Sequence, residues 1–239
     1  MNRGSSATYR AYRANQALTN TCIGTAVGIF GTWNYARRGV VYDVTNDLAN
    51  RMKALSLLPR SASLPDPTRL HDRMSQYLIL NASQPNNYLS WVGSEFSHTN
   101  LGHIFFNMFT WSNFAPMLFF LPFRHYAALI FGGAIASSAT FLYDQRGSQA
   151  RGLGSSGIVS GLMTCVTMFA PTARASLMGI LPMPLWAVTG GYFLLDTYFM
   201  QAGTKTGIGH SAHIGGGVFG ALYYAVFLRR YGGVLGRRQ

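Results

Sequence analysis

The sequence predicts an all-α membrane protein, a bundle of six transmembrane helices with a long polar loop after the first. Three observations predict it. Of 239 residues, 49% are apolar and 11% are charged, where a soluble domain carries roughly 25% charged residues. That leaves too little charge to cover a water-facing surface, and a soluble helical protein is the weaker reading. Six stretches approach the about 20 apolar residues that a helix needs to cross a bilayer. A single extended polar stretch, 37–100, separates the first of them from the second.

The first stretch, Ala17–Ala36, is rich in Gly and Thr. The polar loop that follows holds Pro59, Pro65, Pro67 and Pro85 and seven of the nineteen basic residues. Within it, Asp43–Leu58 reads as an amphipathic helix on the membrane surface. The second stretch is Leu101–Leu121 and the third His125–Tyr143, nearly free of charge. The fourth begins near Gly154 and ends before Pro171. The fifth spans Ser176–Tyr198, with a kink expected at Pro182 and Pro184. The sixth runs from Ser211 to Leu228 and is closed by Arg229 and Arg230. The organisation expected is therefore a basic segment over 1–16, a six-helix membrane domain over 17–231 and a basic tail over 232–239.

The formal net charge is +12. The arginines lie in loops and at both ends, without a basic stripe or a groove-reading motif. They suit anionic lipid headgroups, and no nucleic-acid partner is expected. Their distribution favours the N-terminus on the inner side of the membrane. No Asp or Glu precedes Asp43, whereas Arg, Ser and Thr are frequent. That composition fits a mitochondrial transit segment and equally a basic flank. Cys22 and Cys165 sit in apolar segments as small hydrophobes, and neither a disulfide, a cysteine zinc site nor any cofactor is expected.

Polar groups inside apolar segments are costly unless partnered, so each is a functional candidate. His103, Asn107, Ser156 and His213 stand out. Segments two, four and six run in one direction through a six-span bundle. His103 and Asn107 fall in the first two turns of segment two, Ser156 opens segment four and His213 opens segment six. All four then share a depth of about 5–10 Å, at roughly 1.5 Å per residue. Gly157 with Gly161, and Gly216 with Gly220, are small-xxx-small pairs that let two membrane helices touch backbone to backbone. Segments four and six would so bring Ser156 to His213. His103 and Asn107, at i and i+4, project from one face. With the free N–H groups at the start of segment four they offer donors for an oxyanion. No acidic residue stands near enough in sequence to complete a triad. Asp196 reads as a structural residue near the interface, and a Ser–His dyad is chemically sufficient.

These residues carry a family likeness. His98-Thr-Asn-Leu-Gly-His103-Ile-Phe-Phe-Asn107 resembles the rhomboid HxxxxHxxxN pattern. Gly154-Ser-Ser156-Gly157 is similar to the rhomboid GxSG motif. Ala212-His213-Ile-Gly-Gly216-Gly-Val-Phe-Gly220 resembles the AHxxGxxxG helix. The resemblance implies a six-helix rhomboid bundle acting as an intramembrane serine endopeptidase on single-pass membrane proteins. Ser156 and His213 would be catalytic, His103 and Asn107 would stabilise the oxyanion, and Gly154, Gly157, Gly161, Gly216 and Gly220 would pack the helices at the site. Leu195-Asp-Thr197 and Ser94-Glu-Phe-Ser-His98 look closest to the mitochondrial, presenilin-associated rhomboid-like subgroup, which implies the mitochondrial inner membrane. Many members place a tyrosine one turn after the serine, against the histidine. Ser160 stands there in this chain, so His213 needs another support.

Other motifs fit poorly. Gly152-Leu-Gly154-Ser-Ser-Gly157 matches GxGxxG, but no strand precedes it and no acidic residue follows until Asp196. Ile158 stands where a nucleophile elbow needs Gly. His210 and His213 form HxxH, and no metal is expected there because no carboxylate partner is evident. Two further functions compete: a catalytically silent rhomboid-like protein that binds membrane helices, and a channel using the same polar residues.

Overall fold

In lipid a backbone must satisfy its own polar groups, which leaves the helix as the element open to these apolar runs. The computed structural model describes residues 3–45, 67–177, 181–203 and 206–236. Its elements are α1 (Arg3–Thr45), α2 (Pro67–Leu78), β1 (Leu80–Asn81), α3 (Tyr88–Gly93), α4 (Leu101–Phe114), α5 (Phe123–Asp144), β2 (Arg151–Gly152), α6 (Ser156–Phe169), β3 (Arg174–Leu177), β4 (Leu181–Pro184), α7 (Leu185–Gln201) and α8 (His210–Tyr223). A 3₁₀ turn, Ser94–Phe96, leads from α3 toward α4. A π turn, Tyr224–Leu228, continues α8.

Among the described residues, two helical runs of 22 residues are long and apolar enough to cross a membrane, Phe123–Asp144 and His210–Tyr231. Ser156–Phe169 is apolar but shorter. The outer surface supplies a second argument. Phe105, Phe106 and Phe109 on α4, Leu194, Leu195 and Tyr198 on α7, Leu222 on α8 and Val226 in the π turn after it are all exposed. A soluble monomer rarely shows so much apolar surface.

The helices depart from the sequence reading at the fifth stretch. The first helix has 43 residues, a length of about 65 Å. Residues 3–36, from the basic segment and the first apolar stretch, lie in that one helix. The expected surface helix Asp43–Leu58 lies almost wholly outside the described residues, and Asp43 itself belongs to α1. The fifth stretch is no kinked helix. Proline lacks the N–H that a helix interior needs and biases the residue before it toward extended backbone. Residues 174–177 and 181–184 accordingly pair as two antiparallel strands, Arg174 opposite Pro184 and Leu177 opposite Leu181, and α7 starts just after Pro184.

The core gathers around α6, with Trp111, Leu118, Tyr126, Leu129, Ile130, Ile158 and Leu162 fully buried. The amide of Asn15 ties α1 to it by donating to the carbonyls of Phe119 and Leu121 at 3.1 and 2.8 Å. Helices α6 and α8 meet along their glycines. A Cβ at Gly216 would lie 2.0 Å from the carbonyl oxygen of Gly157, and one at Gly220 would lie 2.3 Å from that of Gly161. No side chain fits between those backbones.

Candidate active site

The close α6–α8 contact sets the central geometry. Ser156, first residue of α6, and His213, in the first turn of α8, stand 2.8 Å apart, Oγ to Nε2. The imidazole is held from two further sides. Its Nδ1 lies 3.1 Å from both carboxylate oxygens of Asp196 on α7. Tyr192, one turn earlier on α7, stacks on the ring at 5.4 Å between centroids and 28° between planes. The Tyr192 hydroxyl is hydrogen-bonded to Ser160 Oγ at 3.2 Å.

Asp196 serves a second histidine as well. His210 Nδ1 lies 2.6 Å from its Oδ1, and His210 Nε2 lies 2.7 Å from the hydroxyl of Thr206. An ionised carboxylate only accepts, so both Nδ1 atoms carry protons. Both Nε2 atoms then accept, one from Ser156 and one from Thr206. Thr206 Oγ1 also accepts from the N–H of Ile208 at 3.2 Å, which leaves its own proton for His210. The network so assigned leaves each group satisfied and gives His213 the tautomer that a general base for serine requires.

Asp196 therefore corrects the sequence reading twice. It contacts His213 directly, where a dyad with a remote, structural Asp196 was expected. It also supplies the carboxylate whose apparent absence had discounted the His210–His213 pair as a metal site. Tyr192 was missed altogether. Helix parity could have found both: α7 runs opposite to α8, so its C-terminal half lies level with the start of α8, and Tyr192 and Asp196 share a face at i and i+4.

The turn before Ser156 is clamped by the polar loop that precedes α4. β1 pairs with β2, Leu80 opposite Gly152. The N–H of Gly154 donates to the carbonyl of Ser94 at 2.9 Å. His98 Nε2 and Ser155 Oγ are 3.3 Å apart. Glu95, fully enclosed, accepts from the N–H of Ile158 at 3.4 Å. Burial pushes the Glu95 carboxyl up to about 8, so at neutral pH it is mostly a neutral group. Burial, then the neighbouring His103, pushes His98 down to about 4. Gly154 has φ +117°, and a Cβ there would lie 2.6 Å from Nε2 of His103. Both the backbone and the imidazole demand glycine.

His103 thus packs two residues before Ser156, and the two line one cavity of about 780 Å³ with Thr99, Phe141 and Met200. Ser156 is partly accessible from it. The Asn107 amide donates to the carbonyl of His103, back along its own helix, at 3.0 Å.

Residues 85–230 match the family model described as Rhomboid domain, well over half of the chain. The chain belongs to the rhomboid family. "Rhomboid protein 1, mitochondrial" of Saccharomyces cerevisiae is 28% identical over 158 residues, 63% of this chain and 45% of that protein. "Presenilin-associated rhomboid-like protein A, mitochondrial" of Danio rerio is 27% identical over 156 residues, 62% of this chain and 40% of that one. The presenilin-associated rhomboid-like protein, mitochondrial, of Rattus norvegicus is 28% identical over 162 residues, 64% of this chain and 42% of its own. The rhomboid chain described here spans less than half the length of the curated relatives it matches. The matched range includes Ser156, His213 and Asp196, and Ser94, Glu95 and His98 of the loop that clamps the serine turn.

Proposed function

We infer that this rhomboid is a serine endopeptidase that cleaves single-pass membrane proteins within the bilayer. The observation that carries the inference is the hydrogen-bonded chain Ser156–His213–Asp196, whose serine lines a cavity inside an apolar helical bundle. In the reaction Ser156 Oγ attacks the scissile carbonyl, and His213 Nε2 takes its proton. The imidazolium that forms is stabilised by Asp196, and it later returns the proton to the leaving amine. Charge develops on the carbonyl oxygen beside the N-terminus of α6, where the N–H groups of the first turn have no intrahelical acceptor. His103 faces the same space, and a rotation of Asn107 would add its amide. The cavity admits the water that hydrolyses the acyl-enzyme.

Six spans, a membrane domain over 17–231 and residence in the mitochondrial inner membrane complete the reading. Its support is the apolar outer surface, the basic acid-free start of the chain and the mitochondrial names of its relatives. The catalytically silent alternative is disfavoured by the intact, correctly polarised serine–histidine contact. The test is reconstitution in liposomes with a single-pass substrate panel. Cleavage products that vanish in Ser156→Ala support the reading, and products that persist in that variant refute it.

A further inference from the structure

We propose that Asp196, His210 and His213 form an inhibitory site for a zinc-class divalent cation, a regulatory use of the centre that rests on the protease reading above. The three residues are buried, and each offers one ligand atom, all within 4.8 Å of one another. Two imidazoles and a carboxylate are the donor set of an open zinc site, which keeps its fourth position for water. Of the three ligands His210 lines the cavity that also holds Ser156, which gives the site a route to water.

The fit needs the two imidazole nitrogens to draw together, because the ligand atoms now spread over as much as 4.8 Å. Ligand atoms around a tetrahedral zinc with bonds of about 2.0–2.1 Å lie about 3.3 Å apart. His210 Nδ1 and Asp196 Oδ1, now 2.6 Å apart, would open by well under an ångström. The His213 Nδ1 to carboxylate distance of 3.1 Å barely changes. Each ring stays on its aromatic support, His210 on Phe199 at 5.4 Å and His213 on Tyr192 at the same distance.

The consequence for chemistry follows from the hydrogen-bond directions. A metal on Nδ1 forces a neutral imidazole to carry its proton on Nε2. His213 would then donate to Ser156 Oγ instead of accepting from it, and His210 would donate to Thr206. Both hydroxyls can reverse their role, so no buried group is left unpaired. The bond to Ser156 survives, but the lone pair that makes His213 a base is gone. The metal thus silences the serine without disturbing the fold.

The experiment uses the detergent-solubilised full chain, stripped with a chelator and titrated with Co²⁺ as a spectroscopic stand-in for Zn²⁺. One equivalent should give the visible bands of a low-coordinate cobalt site in wild type and in Ser156→Ala. His210→Ala and Asp196→Asn should weaken binding at least about 100-fold, with His210→Gln as the second variant where Ala fails to fold. In parallel, Zn²⁺ should slow fluorophosphonate labelling of wild type at least tenfold, and EDTA should restore it. Absence of the bands in both wild type and Ser156→Ala, or bands undiminished in the His210 variants, overturns the site. Bands with labelling that Zn²⁺ leaves unchanged overturn its inhibitory role. Bands in a protein that never labels would keep the metal site and defeat the protease reading instead, so the two fail separately.

Discussion

Replacing Asp196 by Asn exchanges one carboxylate oxygen for an NH₂ group while keeping shape. His210 donates to Asp196 Oδ1 at 2.6 Å, the shortest bond in the network, and His213 donates to both oxygens at 3.1 Å. In the variant the amide oxygen stays with His210, and the NH₂ group turns toward His213. His213 Nδ1 then lies between that NH₂ group and an oxygen that His210 already holds at the shorter distance, which favours the tautomer with its proton on Nε2, pointed at Ser156. The base is lost although every atom stays near its place. In soluble serine proteases the equivalent swap costs about 10⁴ in rate, or about 5.5 kcal/mol of barrier. If Asp196 orients and polarises His213, the loss here should be about 10³–10⁴. If the pair works as a free-standing dyad steadied by Tyr192, the loss should stay below about tenfold. The assay is the rate of labelling by a fluorophosphonate probe, with thermal melting to show that the variant folds. A folded Asp196→Asn protein that labels within tenfold of wild type would refute the reasoning.

Other outcomes follow from the same geometry. Gly216→Ala should lower thermal stability by about 3 kcal/mol or more, the upper end of overpacking costs, because its Cβ would meet backbone at 2.0 Å. Gly190→Ala, on α7 with nothing within 4 Å, should be neutral or stabilise by up to about 1 kcal/mol. Melting both variants in one detergent checks the contrast. Glu95 is raised by burial to about 8, so its contribution to stability is complete below the ordinary carboxylate range and is lost as pH rises through about 8. Wild type should therefore melt lower at pH 9 than at pH 6, and Glu95→Gln should flatten that slope. A slope unchanged by the substitution would count against it. Tyr192→Ala should slow labelling about tenfold by freeing the ring of His213, whereas Tyr192→Phe, which keeps the stack, should cost far less. Parallel labelling rates decide between them.

Much of the helical pattern can be read from the sequence because its determinants are local. The i, i+4 spacing of His103 and Asn107, and the glycine pairs on two segments, depend on helical periodicity alone. The backbone contacts of Gly157 with Gly216 and of Gly161 with Gly220 follow from that periodicity once the two helices are neighbours. Asp196 and Tyr192 escaped for a different reason. They sit on a helix that enters after a proline-bearing pair of strands, and only its antiparallel run against α8, beyond any local pattern, brings their shared face to His213. The clamp on the serine turn was equally hidden. It uses two-residue strands, one carbonyl of Ser94 and a neutralised Glu95, pairings between residues some 60 apart in the chain that no period announces. The Arg37–Asn100 stretch reads as a polar loop by composition, and its work on the Ser156 turn appears once the chain is folded.

The central claim is that Ser156 is an activated nucleophile with His213 as its base. It is tested most directly by labelling the detergent-solubilised chain with a fluorophosphonate probe and mapping the modified residue. Wild type should be labelled on Ser156, and Ser156→Ala and His213→Ala should not be labelled. A folded wild-type protein that takes no probe, or a probe signal that survives in Ser156→Ala, would contradict the account.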